Sequence, residues 1–213
     1  AGKKVLVTAG PTREPVDPVR FLTNQSSGKM GYAVAEAARD RGADVTLVTG
    51  PVALAAPGGM TVVPVETTED LYEAVTSRAA AQDVIVQAAA PADFRAERAP
   101  QKIKKQGDEP LTLTLYPTRD VAAAVGAQKR EGQFIVAFAA ETQNLTENAQ
   151  KKLLKKNASL VVANDVTRAG AGFGVDTNIA SFVTAQGVRE LPMMTKRELA
   201  DKILDEYVSG KNS

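Results

Sequence analysis

A chain of 213 residues, 44% hydrophobic and 24% charged, has the makings of one soluble α/β domain with a single sizeable core. Its formal net charge of +1 points to neither nucleic acid nor a charged membrane as partner, so any phosphate must be met by local clusters. The absence of both histidine and cysteine excludes disulfides, thiolate or imidazole metal sites, and Ser-His-Asp or Cys-His nucleophilic chemistry.

In chain order, Lys4–Ala9 reads as a buried strand. About twenty residues follow before an amphipathic helix that starts near Ser27, where a βα connection is normally a handful. The helix runs to Arg41 and stops at Gly42. Val45–Val48 and Thr61–Val65 read as strands, joined by a Pro/Gly/Ala-rich connection. Thr67 or Thr68 caps a helix with an acidic first turn, running to about Ala80. Val84–Val86 is the next strand and leads into Ala88–Phe94.

Residues 95–109 are polar, charged and aperiodic and read as a flexible flap. Leu111–Leu115 alternates strictly and predicts a half-exposed strand. Asp120 caps a helix through about Lys129, Phe134–Ala139 is a buried strand, and a helix follows to Asn157. Leu160–Ala163 is a further strand. The glycines at 170, 172 and 174 are no dinucleotide fingerprint, because no helix follows them. Ile179–Thr184 and Val188–Leu191 predict a hairpin, Thr195 and Glu198 form a capping box for the last helix, and the tail 209–213 frays. The alternation indicates a Rossmann-like, doubly wound, mainly parallel sheet with a C-terminal β-hairpin and helix. No repeat or linker divides the chain, so residues 1–213 are expected to form a single domain.

The long loop after the first strand is the candidate site. Long structured loops at strand ends tend to bind ligands, and in doubly wound sheets ligands sit beyond the strand C-termini. Backbone N–H groups around Gly28, at a helix N-terminus, suit an anion. The plainer reading is a rigid surface loop with Ser27 as an ordinary cap. No apolar run is long enough to span a bilayer and the start is not a signal peptide, which predicts a cytoplasmic protein. The remaining polar side chains suit chemistry done by positioning and electrostatics, with any magnesium held largely by substrate phosphates.

The stretch TAGPTREPVDPVRFLTNQSSGKMG at 8–31 resembles the N-terminal signature of the phosphopantothenate–cysteine ligases of coenzyme A biosynthesis. AAAPADF at 88–94, KIKK at 102–105, FAAET at 138–142 and VVANDV at 161–166 are similar to further motifs of that family, in family order. The resemblance implies a ligase that joins 4′-phosphopantothenate to L-cysteine with CTP and magnesium. An acyl-cytidylate forms with release of pyrophosphate, and the cysteine amine then displaces CMP. It also implies a homodimer. In many bacteria such a domain is the C-terminal half of a bifunctional protein, fused to a flavin-dependent decarboxylase. Nothing precedes the first strand here, so no flavin site is expected.

By the same resemblance, Asn24 holds the acyl-cytidylate and acceptor carboxylate, an amide being able to donate without adding negative charge. Arg20 meets a phosphate or the carboxylate, its alternative being an ion pair with Glu14 or Asp17. Ser27, Gly28 and Lys29 supply helix-start N–H groups. Lys102 neutralises charge during transfer. Ala88, Ala89, Ala90 and Asp93 form the nucleotide-pocket turn, Phe138 contacts the nucleotide or merely packs in the core, and Lys152 and Lys156 meet the triphosphate. Asp120 carries over least securely, because Pro117–Asp120 departs from the family pattern. Gln25 and Pro91 stand where relatives usually have histidine and valine. No protein metal site is expected. A Rossmann-type NAD(P) oxidoreductase would want a Gly-x-Gly-x-x-Gly after the first strand, which residues 9–13 do not supply. A non-catalytic nucleotide-binding module would not need Asn24 and Lys102.

Overall fold

The computed structural model describes residues 1–141, 145–165 and 174–210. The first half contains β1 (Lys4–Ala9), β2 (Arg13–Pro15), β3 (Phe21–Thr23), α1 (Lys29–Asp40), β4 (Asp44–Thr49), β5 (Thr61–Pro64), α2 (Thr68–Ala79), β6 (Val84–Gln87) and β7 (Phe94–Ala96). The second half contains β8 (Leu115–Pro117), α3 (Val121–Ala127), β9 (Phe134–Glu141), α4 (Leu145–Lys155), β10 (Leu160–Asp165), β11 (Thr177–Asn178), β12 (Ala180–Thr184), β13 (Gly187–Glu190), β14 (Met194–Thr195) and α5 (Lys196–Ser209).

Eight strands form one sheet in the order β13-β12-β10-β9-β6-β1-β4-β5. The six from β10 to β5 are parallel, and β12 and β13 add an antiparallel edge. Taken in chain order the parallel strands lie 3-2-1-4-5-6, the doubly wound order whose direction reverses between β1 and β6.

Successive side chains of β1 point to opposite faces, and both faces are buried. Val5 and Val7 pack under α1 and α5, against Val34, Ala37, Leu199 and Ile203. Leu6 packs under α2 and α3, against Leu71, Val75, Val121 and Val125. Each such aliphatic side chain contributes about 1.5–3 kcal/mol by leaving water. This two-sided burial explains why the central strands read as apolar runs and not as alternating ones. α1 lies so close to β1 that a Cβ on Gly31 would stand 2.5 Å from the Ala9 Cβ and 2.7 Å from the Thr8 carbonyl.

The expected strand at Leu111–Leu115 is a correction. Residues 111–114 are outside any strand, and only Leu115–Pro117 pairs, antiparallel with β7. A ladder extends only as far as its partner's backbone groups, and β7 supplies three residues. The hairpin β12–β13 forms as expected, with Val183 paired to Val188.

Candidate functional site

A cleft of about 730 Å³ opens beyond the C-terminal ends of β1, β6 and β9. It lies where the strand order reverses, between the loop after β1 and the loop after β6. Side-chain and backbone bonds hold those two loops together. The Ala90 N–H donates to the Gly10 carbonyl at 2.9 Å, the Ala89 N–H to Thr8 Oγ1 at 3.0 Å, and the Ala92 N–H to Thr12 Oγ1 at 2.9 Å. Within the β1–α1 loop, β2 and β3 form a short ribbon, and Arg13 lies over the Phe21 ring at 4.7 Å. Buried Glu14 fastens the ribbon to α2 by accepting the N–H and hydroxyl of Thr68, each at 2.8 Å.

The structure brings together Asn24, Ser27, Gly28, Lys29, Ala88, Ala89, Ala90, Asp93, Asp120, Phe138, Lys152 and Lys156 in the walls of this cleft. Asn24 Nδ2 donates to the carbonyls of Ala90 at 3.1 Å and Pro91 at 3.0 Å. Both amide protons are thereby engaged, and two carbonyl neighbours fix the amide's orientation. The N-cap of α1 is Gly28, not Ser27. Its φ of 78° is left-handed, and no side chain caps the helix. A Cβ at Gly28 would stand 2.8 Å from Val52 Cγ1. The first turn of α1 therefore begins at the cleft wall without a side-chain oxygen on it, an arrangement suited to an anion.

Asp120 caps α3 by accepting the Ala123 N–H at 2.9 Å, and its other oxygen is paired with Lys156 on α4. Burial pushes the Asp120 carboxyl up, but the bonds from Lys156 and Ala123 outweigh it and hold the group below the usual carboxylate range. Lys152, one turn earlier, donates to the Phe138 carbonyl at 2.6 Å. Phe138 packs against the core beneath α1 and α5 while also lining the cleft, so its two readings are compatible.

Arg20 and Lys102 are not in the cleft wall. Arg20 is paired with Asp17 at 2.7 Å, and Lys102 is exposed on the segment joining β7 and β8. Residues 142–144 and 166–173, which hold the end of the 138–142 motif, Val166 and two of the three glycines, lie outside the described residues, as do 211–213.

Sequence reasoning missed Lys196, at the first position of α5. It is 7% exposed, lines the cleft, and donates to the carbonyls of Val175 at 2.6 Å and Thr177 at 3.1 Å. Burial, then the charge of nearby Lys29, pushes its ammonium below the usual lysine range, with Asp176 opposing. Lys29, at the first position of α1, pairs with Asp176 at 2.7 Å. A cation in a first helical turn opposes the helix dipole, and this was the overlooked signal: both lysines stand at helix starts that border the cleft. Also missed was Gln87 at the end of β6, buried beside the cleft with an Nε2 that has no hydrogen-bond partner among the described residues. The cations of the wall suit a polyanionic ligand. The described residues contain no group of three or more carboxylates, or other such ligands, that could hold a metal ion, so magnesium would enter only as the complex of such a ligand.

The family described as DNA/pantothenate metabolism flavoprotein C-terminal domain matches residues 1–210. The coenzyme A biosynthesis bifunctional protein CoaBC of Bacillus subtilis is 50% identical over 211 residues, covering 98% of this chain and 52% of that protein. The chain thus spans about half the length of the curated relatives it matches. The crystal structure of the C-terminal domain of a CoaBC protein is 42% identical with a TM-score of 0.83, covering 100% of this chain and 97% of that one. A Cab2 variant in complex with phosphopantothenate-cysteine shares the fold at 18% identity and a TM-score of 0.77, covering 99% of this chain and 89% of that one. Among the described residues no helix is long and apolar enough to cross a membrane.

Proposed function

The chain belongs to the family of DNA/pantothenate metabolism flavoprotein C-terminal domains, and from that premise we propose that it joins 4′-phosphopantothenate to L-cysteine in coenzyme A biosynthesis, using CTP. The observation that supports this most is the cleft at the strand-order reversal, where a helix N-terminus and the lysines of α4 face Asn24 across small alanines. The substrate carboxylate attacks the α-phosphorus of magnesium-bound CTP, forming an acyl-cytidylate and releasing pyrophosphate. The neutral amine of cysteine then attacks the acyl carbon, and CMP leaves with the bonding electrons as the amide forms and the amine proton passes to solvent.

In this reading Ser27, Gly28 and Lys29 hold an anion at the start of α1, and Lys152 and Lys156 hold the triphosphate. Ala88, Ala89 and Ala90 let backbone approach the nucleotide, with Asp93, Asp120 and Phe138 around it. Asn24 braces the loops through Ala90 and Pro91, and donates to the acyl oxygen only by exchanging one of those bonds. Lys102 reaches the triphosphate only when its segment moves over the cleft. The protein works in the cytoplasm as a homodimer of single-domain ligase units, each 1–213, and a decarboxylase fused upstream, as in its bifunctional relatives, would supply no part of this cleft.

The test is pyrophosphate release from CTP with and without 4′-phosphopantothenate, followed by the mass of the product formed with cysteine. Release that requires phosphopantothenate, with one amide formed per pyrophosphate, supports the ligase. CTP binding without turnover would leave a nucleotide-binding module, and hydride transfer with NAD(P) would make it an oxidoreductase.

A further inference from the structure

Asp17 sits in the turn between β2 and β3 with its side chain wholly buried. Its two oxygens serve different purposes. Oδ1 accepts the N–H groups of Val19 and Arg20, each at 2.8 Å, which closes the local turn. Oδ2 accepts Arg20 Nε at 3.0 Å and, across 86 positions of sequence, the Ile103 N–H at 3.1 Å. Arg20 Nη2 in turn donates to the Ile103 carbonyl. The Ile103 peptide is thus gripped at both ends, by an acid and a base that are themselves paired. A further backbone bond, Ala99 N–H to the Val16 carbonyl at 2.9 Å, lays the same segment along the turn. A carboxylate is buried without cost only when its acceptor sites are filled, and here half of them are filled by the segment that carries Lys102.

We propose that Asp17 is a positioning residue for Lys102: its Oδ2, with Arg20, anchors the 99–103 segment beside the β2–β3 ribbon and sets the arc through which Lys102 moves. This rests on the ligase reading for its effect on turnover, though the anchoring itself does not.

Asp17→Asn is the selective perturbation. An asparagine keeps an oxygen for the two turn N–H groups but turns an NH2 toward Arg20 Nε and the Ile103 N–H, where three donors meet. Ile103→Pro removes only the Ile103 N–H and leaves the turn untouched. In both variants trypsin should cut after Lys102, Lys104 and Lys105 at least about fivefold faster than in the wild type, because cleavage follows the released population. The maximal rate of pyrophosphate release should fall about ten- to a hundredfold, with the KM for CTP within about twofold, the pattern of a misplaced group rather than a lost binding contact. A merely structural role for Asp17 would not reproduce this split in Ile103→Pro.

If one variant fails to fold, the other decides. Unchanged cleavage would overturn the anchor. Faster cleavage with an unchanged maximal rate would overturn the positioning of Lys102. A wild-type protein that does not turn over would sink the ligase reading, while the cleavage rates would still decide the anchor.

Discussion

Replacing Asp120 with asparagine separates two tasks of one carboxylate. Asparagine caps a helix as well as aspartate does, so the bond to the Ala123 N–H survives and only the pair with Lys156 is lost. The Lys156 side chain is 10% exposed and that of Asp120 is 47% exposed. A fully exposed pair contributes about 0–1 kcal/mol, while removing one partner of a fully buried pair costs about 3–5 kcal/mol. With one partner half in water, the expected loss is about 1–2 kcal/mol. A chain of this length unfolds with an entropy of about 0.45 kcal/mol/K, so the melting temperature should fall about 2–4 °C. Asp120→Ala removes the cap as well, worth about 1 kcal/mol, and should melt about 2 °C lower again. A carboxyl held below its ordinary value contributes stability that is present above the unfolded value near 3.9 and is lost as pH falls through the lower folded value. The gap between wild type and Asp120→Asn, followed by thermal or urea unfolding, should therefore be constant from about pH 6 to 8 and narrow below about pH 4. No gap at neutral pH, or identical melting of the asparagine and alanine variants, would refute the division of tasks.

Asn24→Asp places a carboxylate oxygen against the Ala90 and Pro91 carbonyls, where an N–H2 now donates to both. Product formation should fall at least about a hundredfold while circular dichroism stays native, and near-normal turnover would remove Asn24 from the mechanism. Lys152→Met keeps the apolar stem and loses the ammonium, so the KM for CTP should rise about tenfold with little change in the maximal rate, measured by pyrophosphate release. CTP should outperform ATP in side-by-side efficiency, and equal or better use of ATP would overturn that preference. Efficiency toward cysteine, with the other substrates saturating, should rise to a plateau above about pH 8 with the titration of the amine, since the chain has no histidine. A limb near pH 6.5 would put a shifted side chain in the reaction, and Asp93, Lys102 and the buried Lys196 would then be mutated first.

The parts of this fold that are local were legible in the sequence. The two-faced strands, the Asp120 cap and the Thr195–Glu198 capping box each depend on residues a few positions apart. What escaped was set by distant partners. The β2–β3 ribbon depends on Glu14 reaching Thr68, and Asp17 owes its role to Ile103. Leu111–Leu115 has the alternation of a strand, yet no partner backbone lies along most of it. Within the site, the motif residues of the loops after β1 and β6 converge because the strand order reverses between them, which the alternation of elements foretold. Lys196 was hidden because a capping box explains its neighbours, and only the mismatch of a cation with a helix N-terminus marked it. The helix start at Gly28 displaced the expected Ser27 cap because a left-handed turn brings the chain against Val52.

The central claim is that this cleft activates a carboxylate by transferring a nucleotidyl group to it. The most direct measurement uses 4′-phosphopantothenate carrying oxygen-18 in both carboxylate positions, with CTP and cysteine, and reads the label by mass spectrometry. Attack of the carboxylate on the α-phosphorus, followed by displacement at the acyl carbon, predicts one labelled oxygen in CMP, one in the amide product and none in pyrophosphate. CMP without label, or label in an inorganic phosphate product, would contradict the account.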